Sequence, residues 1–293
     1  MRADRPTDVD ARVHSDFARA RSRAFLNDVW SLLSGKRNSL LSYDEVKQKL
    51  HIGGPIYRGV RTVEVAKIVG SVNRYRDFDH AFLPARNSIA DRWQRVDRAF
   101  YEDISLPPVV LYKVGDIYFV VDGHHRVSVA REQGQEFIEA DVRECRVKVP
   151  VGPDLRPEDL EILGGKVEFL ERTGLDRIRP DAQIDLTVPD GYSRMLEHIA
   201  VHHYFMGLDQ QRDIPEEEAV AHWYDTVYLP IVAVIRDRGA LDEFPGRTEA
   251  DLYLWVLDRQ QFLHDHGKDL SPPDVAAEEY VEHLEQGPEL GAL

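Results

Sequence analysis

Residues 109–142 read VVLYKVGDIYFVVDGHHRVSVAREQGQEFIEADV, and this stretch decides the fold. Val109–Lys113 is a strand, Val114-Gly-Asp116 a turn and Ile117–Val121 a second strand. Almost every strand position is apolar or aromatic, which predicts a hairpin buried on both faces. His124–Gln133 follows as a helix with Val127 and Ala130 on one side and Gly134 as its stop. Phe137–Val142 is a third strand. The order hairpin, loop, helix, strand predicts an α+β fold: a small mixed sheet with flanking helices, followed by a mostly helical domain.

Working towards the N-terminus, Val63 and Val65 alternate with Thr62 and Glu64, a short strand from Val60. Trp93, Val96 and Phe100 lie on one helical face ahead of Ser105-Leu-Pro-Pro108. Residues 10–34 read as an amphipathic helix through Val13, Phe17, Ala20 and Ala24, with Phe25, Val29, Trp30 and Leu33 continuing the face and Gly35 as its stop. Ser42–Glu45 fits a capping box opening a short helix to about Leu50, and 51–55 is a loop. Beyond the hairpin region, Pro150, Pro153 and Pro157 mark a linker. Helical patterns follow at 157–173, 192–206, 215–238 and 248–266, with a strand expected at Gln183–Val188 and a frayed acidic tail from Pro272. The domains expected are therefore 1–55, an N-terminal helical segment; 56–149, the sheet domain; and 150–293, the acidic helical domain.

Composition narrows the function. The chain has 293 residues, 43% hydrophobic and 30% charged, which suits a soluble globular protein rather than a disordered one. No apolar run reaches the roughly 20 residues of a membrane span, and the polar N-terminus does not resemble a signal peptide, so the expected location is cytoplasmic. The single cysteine, Cys145, excludes a disulfide framework and multi-cysteine metal sites. Residues 1–148 hold 25 Lys and Arg against 21 Asp and Glu, net +4; the remainder holds 12 against 31, net −19. Such a balance disfavours duplex DNA, whose affinity comes largely from phosphate contacts, and suits a free nucleotide better. A homodimer is left open.

Asp122-Gly-His-His-Arg126 joins an apolar strand to a helix start. There the unpaired N–H groups and the positive end of the helix dipole meet. Gly123 permits close approach to the backbone, His124 and His125 add donors, and Arg126 adds a planar fork suited to phosphate oxygens. Together they describe a phosphate cradle. The plainer alternative has Asp122 capping the helix and the rest solvated.

The run from Val60 to Cys145 resembles the ParB/sulfiredoxin superfamily, carried by the segment from Leu106 to Val142 and above all by Gly123-His-His-Arg126. In that superfamily a strand ends in a G-x-x-R box that opens a helix and binds nucleotide phosphates. The D-G-Q-Q-R box of some restriction NTPases is similar too, which singles out Asp122 as a metal ligand. Ser71–Asp79 resembles the partition proteins' arginine-bearing segment ending in Phe-Asp, implying that Arg74 and Arg76 face the nucleotide. The resemblance implies ATP or CTP with Mg²⁺, hydrolysed, used for phosphoryl transfer or driving a switch, with Asp122 and His124 as the catalytic candidates. Two rivals stand beside it: a DNA-associated partition-like or nuclease protein, and an interaction module with an inactive box. Sulfiredoxin chemistry needs a cysteine where this chain has His124, and the glutamate of the free-serine kinases is missing from Ile68–Arg74.

The C-terminal half offers less. His198 and His202 share a helix face, and His203 or Glu197 could add a ligand, yet the pattern is not H-E-x-x-H, and core or surface histidines are the expectation. Thr248–Asp251 fits a capping box, Arg247 remains as a contact candidate, and Glu216–Glu218 suits a first helical turn.

Overall fold

The computed structural model describes residues 8–34, 38–74 and 76–285, and the chain divides into two compact units, Met1–Leu160 and Glu161–Leu293. In the first unit the elements run α1 (Asp8–Ser34), β1 (Leu41–Ser42), α2 (Tyr43–Lys49), β2 (Pro55–Glu64), β3 (Ile68–Ser71), α3 (Ala90–Tyr101), β4 (Val109–Val114), β5 (Ile117–Asp122), α4 (His124–Glu132) and β6 (Phe137–Cys145). The buried face of α1 ends at Ala24: Phe25, Val29, Trp30 and Leu33, expected to continue it, are exposed, because the sheet unit covers only the earlier part of the helix. The expected stop at Gly35 lies outside the described residues. Ser42 caps α2 by accepting the Glu45 N–H.

The strands form one mixed sheet in the order β1-β3-β5-β4-β6-β2. The antiparallel β4–β5 hairpin occupies the centre, where each strand also has a parallel neighbour, β3 beside β5 and β6 beside β4. Central position on both sides accounts for the near-continuous apolar character of the hairpin. Edge strand β2 runs ten residues, starting five before the Val60 expected from alternation. Pairing with β6, not burial, defines it: Val63 is its one buried position, and a bulge at Tyr57/Val60 with Gly59 at φ +82° breaks the period-two signal.

Phe17 and Trp93 meet with ring centroids 5.5 Å apart, in a core that also holds Ile68, Leu111, Val120 and Val127. Trp93 Nε1 donates to Ser128 Oγ at 2.8 Å, fastening α3 to α4. The Asp16 carboxylate on α1 accepts from Tyr101 Oη at 2.6 Å and Gln133 Nε2 at 3.1 Å, tying the same helices a second time. Gly70 is required by close approach: a Cβ there would stand 2.4 Å from the Phe119 ring and 2.6 Å from the Leu41 carbonyl. Residues after β6 stay on this unit, with Val149 and Val151 buried and Asp116 N–H donating to Val151 O at 2.8 Å.

The second unit is helical: α5 (Asp159–Thr173, entered from the last residues of the first unit), α6 (Leu175–Ile178), α7 (Gly191–Gln210), α8 (Glu216–Trp223), α9 (Leu229–Asp237), α10 (Glu249–Asp265) and α11 (Pro273–Glu285). A π-helical turn, Tyr224–Tyr228, links α8 to α9. Trp223, Tyr228, Ile231 and Tyr253 lie in its core. Two expectations are corrected. Gln183–Val188 is not a strand. Ile184 and Leu186 face the core, while Tyr192 Oη donates to Ile184 O and the Asp251 carboxylate takes the Thr187 N–H, so backbone groups are satisfied without a partner strand. The tail from Pro272 is not frayed over the described residues: α11 buries Ala276, Ala277 and Val281. Among the described residues no helix is long and apolar enough to cross a membrane.

Candidate functional site

Strands β3 and β5 are parallel neighbours, so their C-terminal ends point the same way and their following loops meet. This is where ligands bind in sheets of parallel strands generally. β5 delivers Asp122, Gly123 and the start of α4; β3 delivers Ser71, Asn73 and Arg74. Helix α3 brings Arg92 and Val96 to the same place. Asn73, Arg74, Arg92 and Val96 line a cavity of about 190 Å³ with Asp122, Gly123, His124, His125 and Arg126, while Ser71 lies buried beneath it against His124.

Gly123 is the N-cap of α4, at φ +98° and ψ 22°, a left-handed conformation that favours glycine. No side chain caps the helix. Asp122, the capping candidate of the plainer reading, instead pairs with Arg126 Nη2 at 2.7 Å. The first-turn N–H groups of α4 are thereby left without a side-chain acceptor, at the positive end of the helix dipole.

Arg126 is largely buried. Besides Asp122, its guanidinium donates to the carbonyls of Pro107 and Pro108, the latter at 2.9 Å. It clamps the Pro-Pro loop to the start of α4. A Cβ on Gly123 would stand 3.0 Å from Arg126 Nε and Nη2 and 2.6 Å from Val109 Cγ1. The glycine and the arginine are therefore one packed unit.

The two histidines stand on Phe78, which is buried. His124 stacks on its ring at 6.2 Å and His125 meets it edge-on at 5.5 Å. Ser71 Oγ accepts the N–H of Asn73 at 3.3 Å and of Arg74 at 2.9 Å, so its own proton goes to His124 Nε2 at 2.8 Å. His124 consequently holds its ring proton on Nδ1. Burial, reinforced by Arg74 and His125, pulls the His124 pKa down to about 4. Burial and the guanidinium of Arg92 do the same to His125. Both rings are neutral at physiological pH. His125 Nδ1 is buried and has no hydrogen-bond partner.

Arg74 is half-buried, with Asp77 3.7 Å away. Arg76 is exposed in the same loop and does not line the cavity, so the structure brings one of the two segment arginines to the site. Arg92 and Asn73 were not singled out by the sequence pattern. Arg92 precedes the core residue Trp93 and stands one helical turn before Val96, a signal visible only once α3 is known to abut α4.

The remaining candidates do not assemble. His198 packs on Tyr253 at 5.8 Å, with burial holding its pKa near 4; His202 Nε2 bonds His222 Nδ1 at 2.8 Å; His203 Nε2 lies 2.7 Å from Ile214 O. Glu197 does not join them, and no cluster of three metal-ligating side chains occurs among the described residues. Arg247 donates to Thr187 Oγ1 at 2.8 Å and lies over Trp255, a structural role. Thr248 and Asp251 complete the capping box of α10. Cys145 is buried against Tyr43 Oη at 3.3 Å, with its thiol pKa pushed up by burial.

No family model matches the chain, and no curated protein matches it. Among solved structures, a Pnob8-like ParB-N domain aligns over 80% of this chain and 98% of its own, at 12% identity and a TM-score of 0.20.

Proposed function

We propose that the cavity at the start of α4 is a phosphate-binding site and that the protein binds a nucleotide, ATP or CTP, there. One observation carries this reading: the uncapped start of α4 opens on a cavity lined by three arginines and one aspartate. A phosphate there would meet the uncapped N–H groups of α4 and the charge of Arg74 and Arg92.

Magnesium fits as an ion carried by the nucleotide. Asp122 is the one carboxylate among the described lining residues, and an ion that keeps several waters needs only one or two. When bound it would neutralise phosphate charge. The reading is one of binding: Asp122 is engaged by Arg126, and His124 Nε2 by Ser71, so neither atom pair is arranged as a general base towards the cavity. The acidic balance of the chain favours a free nucleotide over the DNA-associated alternative.

The test is calorimetric titration of ATP, ADP, CTP and GTP with magnesium into wild type, Arg74→Ala and Arg92→Ala. These arginines are the informative positions, since Arg126 and Gly123 also hold the loop together. Each substitution is expected to weaken the preferred nucleotide by about 10- to 150-fold, the worth of one charge-assisted hydrogen bond. The melting temperature should stay unchanged. Equal affinity in all three proteins overturns the reading.

A further inference from the structure

The 190 Å³ cavity is small beside the roughly 300–1,000 Å³ of sites that enclose a drug-sized molecule. It does not stand alone. Val96 and Arg126 also line a second cavity, of about 480 Å³, so the two share these residues as a common wall. This second space is bounded by the end of α3, the Pro-Pro loop and the start of β6.

Its character differs from that of the first. Phe100, Ile104, Leu106 and Phe137 line it, and they are 40%, 53%, 38% and 54% exposed, a concentration of large apolar side chains facing solvent in one concave place. Clustered exposed apolar groups of this kind mark ligand grooves. The charged side chains that join them, apart from Arg126, are the carboxylates Asp103 and Glu139. The cationic cavity and the apolar, acid-rimmed groove thus divide the work of recognising one amphiphilic molecule, with the clamped Arg126 between them.

We propose that the groove receives the ring-bearing body of a phosphate ester whose phosphate occupies the cavity at the start of α4; this rests on the phosphate reading above and extends it. The apolar walls take the ring. Asp103 and Glu139 accept from amino or hydroxyl donors on it and repel a second anionic group at that end. The class of ligand is therefore a phosphate ester with its charge at one end and hydrogen-bond donors at the other, a description that nucleoside 5′-phosphates meet.

The experiment titrates inorganic phosphate, phenyl phosphate and AMP into wild type, Arg92→Ala and the double variant Ile104→Ser/Phe137→Ser. Both groove positions are more than half exposed, so the core stays closed in the double variant. Phenyl phosphate is expected to bind about tenfold more tightly than inorganic phosphate, equivalent to 1.4 kcal/mol. The double variant should erase that advantage and leave inorganic phosphate untouched, whereas Arg92→Ala should weaken all three ligands. AMP should lose a further severalfold in Glu139→Gln. If phenyl phosphate and inorganic phosphate bind wild type equally, or if the double variant keeps the advantage, the groove inference fails and the phosphate site stands. If Arg92→Ala changes none of the three, or none of them binds wild type, the phosphate reading itself fails and takes the groove with it.

Discussion

Two regions of the molecule carry closely spaced histidines, and they use them in opposite ways. His124 and His125 open α4, where two parallel strands end and a third element, α3, closes over them; with Arg74, Arg92 and Arg126 they line one cavity. His198, His202 and His203 lie inside α7, and each is taken by a different neighbour: Tyr253, His222 and the Ile214 carbonyl. Spacing does not separate the two cases. What separates them is the end of a helix against its middle. At the start of α4 the backbone offers unpaired donors and the side chains face a gap between elements. Within α7 the backbone is paired and the side chains fill contacts between helices. A site forms where elements end together.

The comparison can be broken most sharply at Gly123. Its φ of +98° and the 2.6 Å approach of Val109 Cγ1 leave no room for a Cβ. Gly123→Ala is expected to cost about 2 to 5 kcal/mol, from left-handed strain and overpacking combined. Chemical denaturation measures it. A loss under 1 kcal/mol would mean that the strand-to-helix junction is pliable and the cavity not preorganised.

Acid provides the second test. His124 and His125 have folded pKa values near 4, below the ordinary 6.5. In the unfolded chain they gain protons as pH falls through about 6.5, while in the folded chain they stay neutral until about 4. Their contribution to stability is therefore full above 6.5 and is lost progressively as pH falls between those values. Replacing both by Gln should flatten that part of the stability profile. NMR titration should find both rings neutral at pH 6; a ring that protonates near 6.5 would show that the site is wet and open.

The smallest effect is expected in the second unit. His202→Ala removes one hydrogen bond to an exposed partner, His222, and should cost under about 1 kcal/mol with no change in phosphate or nucleotide binding. A loss of binding equal to that of Arg92→Ala would erase the distinction between the two histidine clusters.

The central hairpin, α4 and β6 were legible because their apolar runs match central strands and because glycine and proline punctuate them. Gly123 and the two histidines were legible as a strand-to-helix turn. Edge strand β2 was read short, since an edge strand buries little and its bulge destroys alternation. The segment 183–188 was misread as a strand because two buried apolar residues at alternate positions look the same whether the backbone is paired to a strand or to Tyr192 and Asp251. Arg92 went unseen, and Arg76 was included, because the sequence of a loop or helix face does not say which side chains turn towards a site formed with another element.

Local features are legible from the residues alone: the apolar runs of the hairpin, the faces of most helices, the turn at Asp122–Arg126, the single cysteine and the acidic balance. These follow from residues near one another in the chain. The tertiary structure decided which of those residues meet. Parallel pairing of β3 with β5 brings Arg74 to Gly123, and the Trp93–Ser128 bond holds α3 and its Arg92 against α4. The Pro107 and Pro108 carbonyls and Asp122 turn the expected phosphate arginine into a clamp. Convergence of this kind depends on strand order and on long-range hydrogen bonds, which no local period encodes.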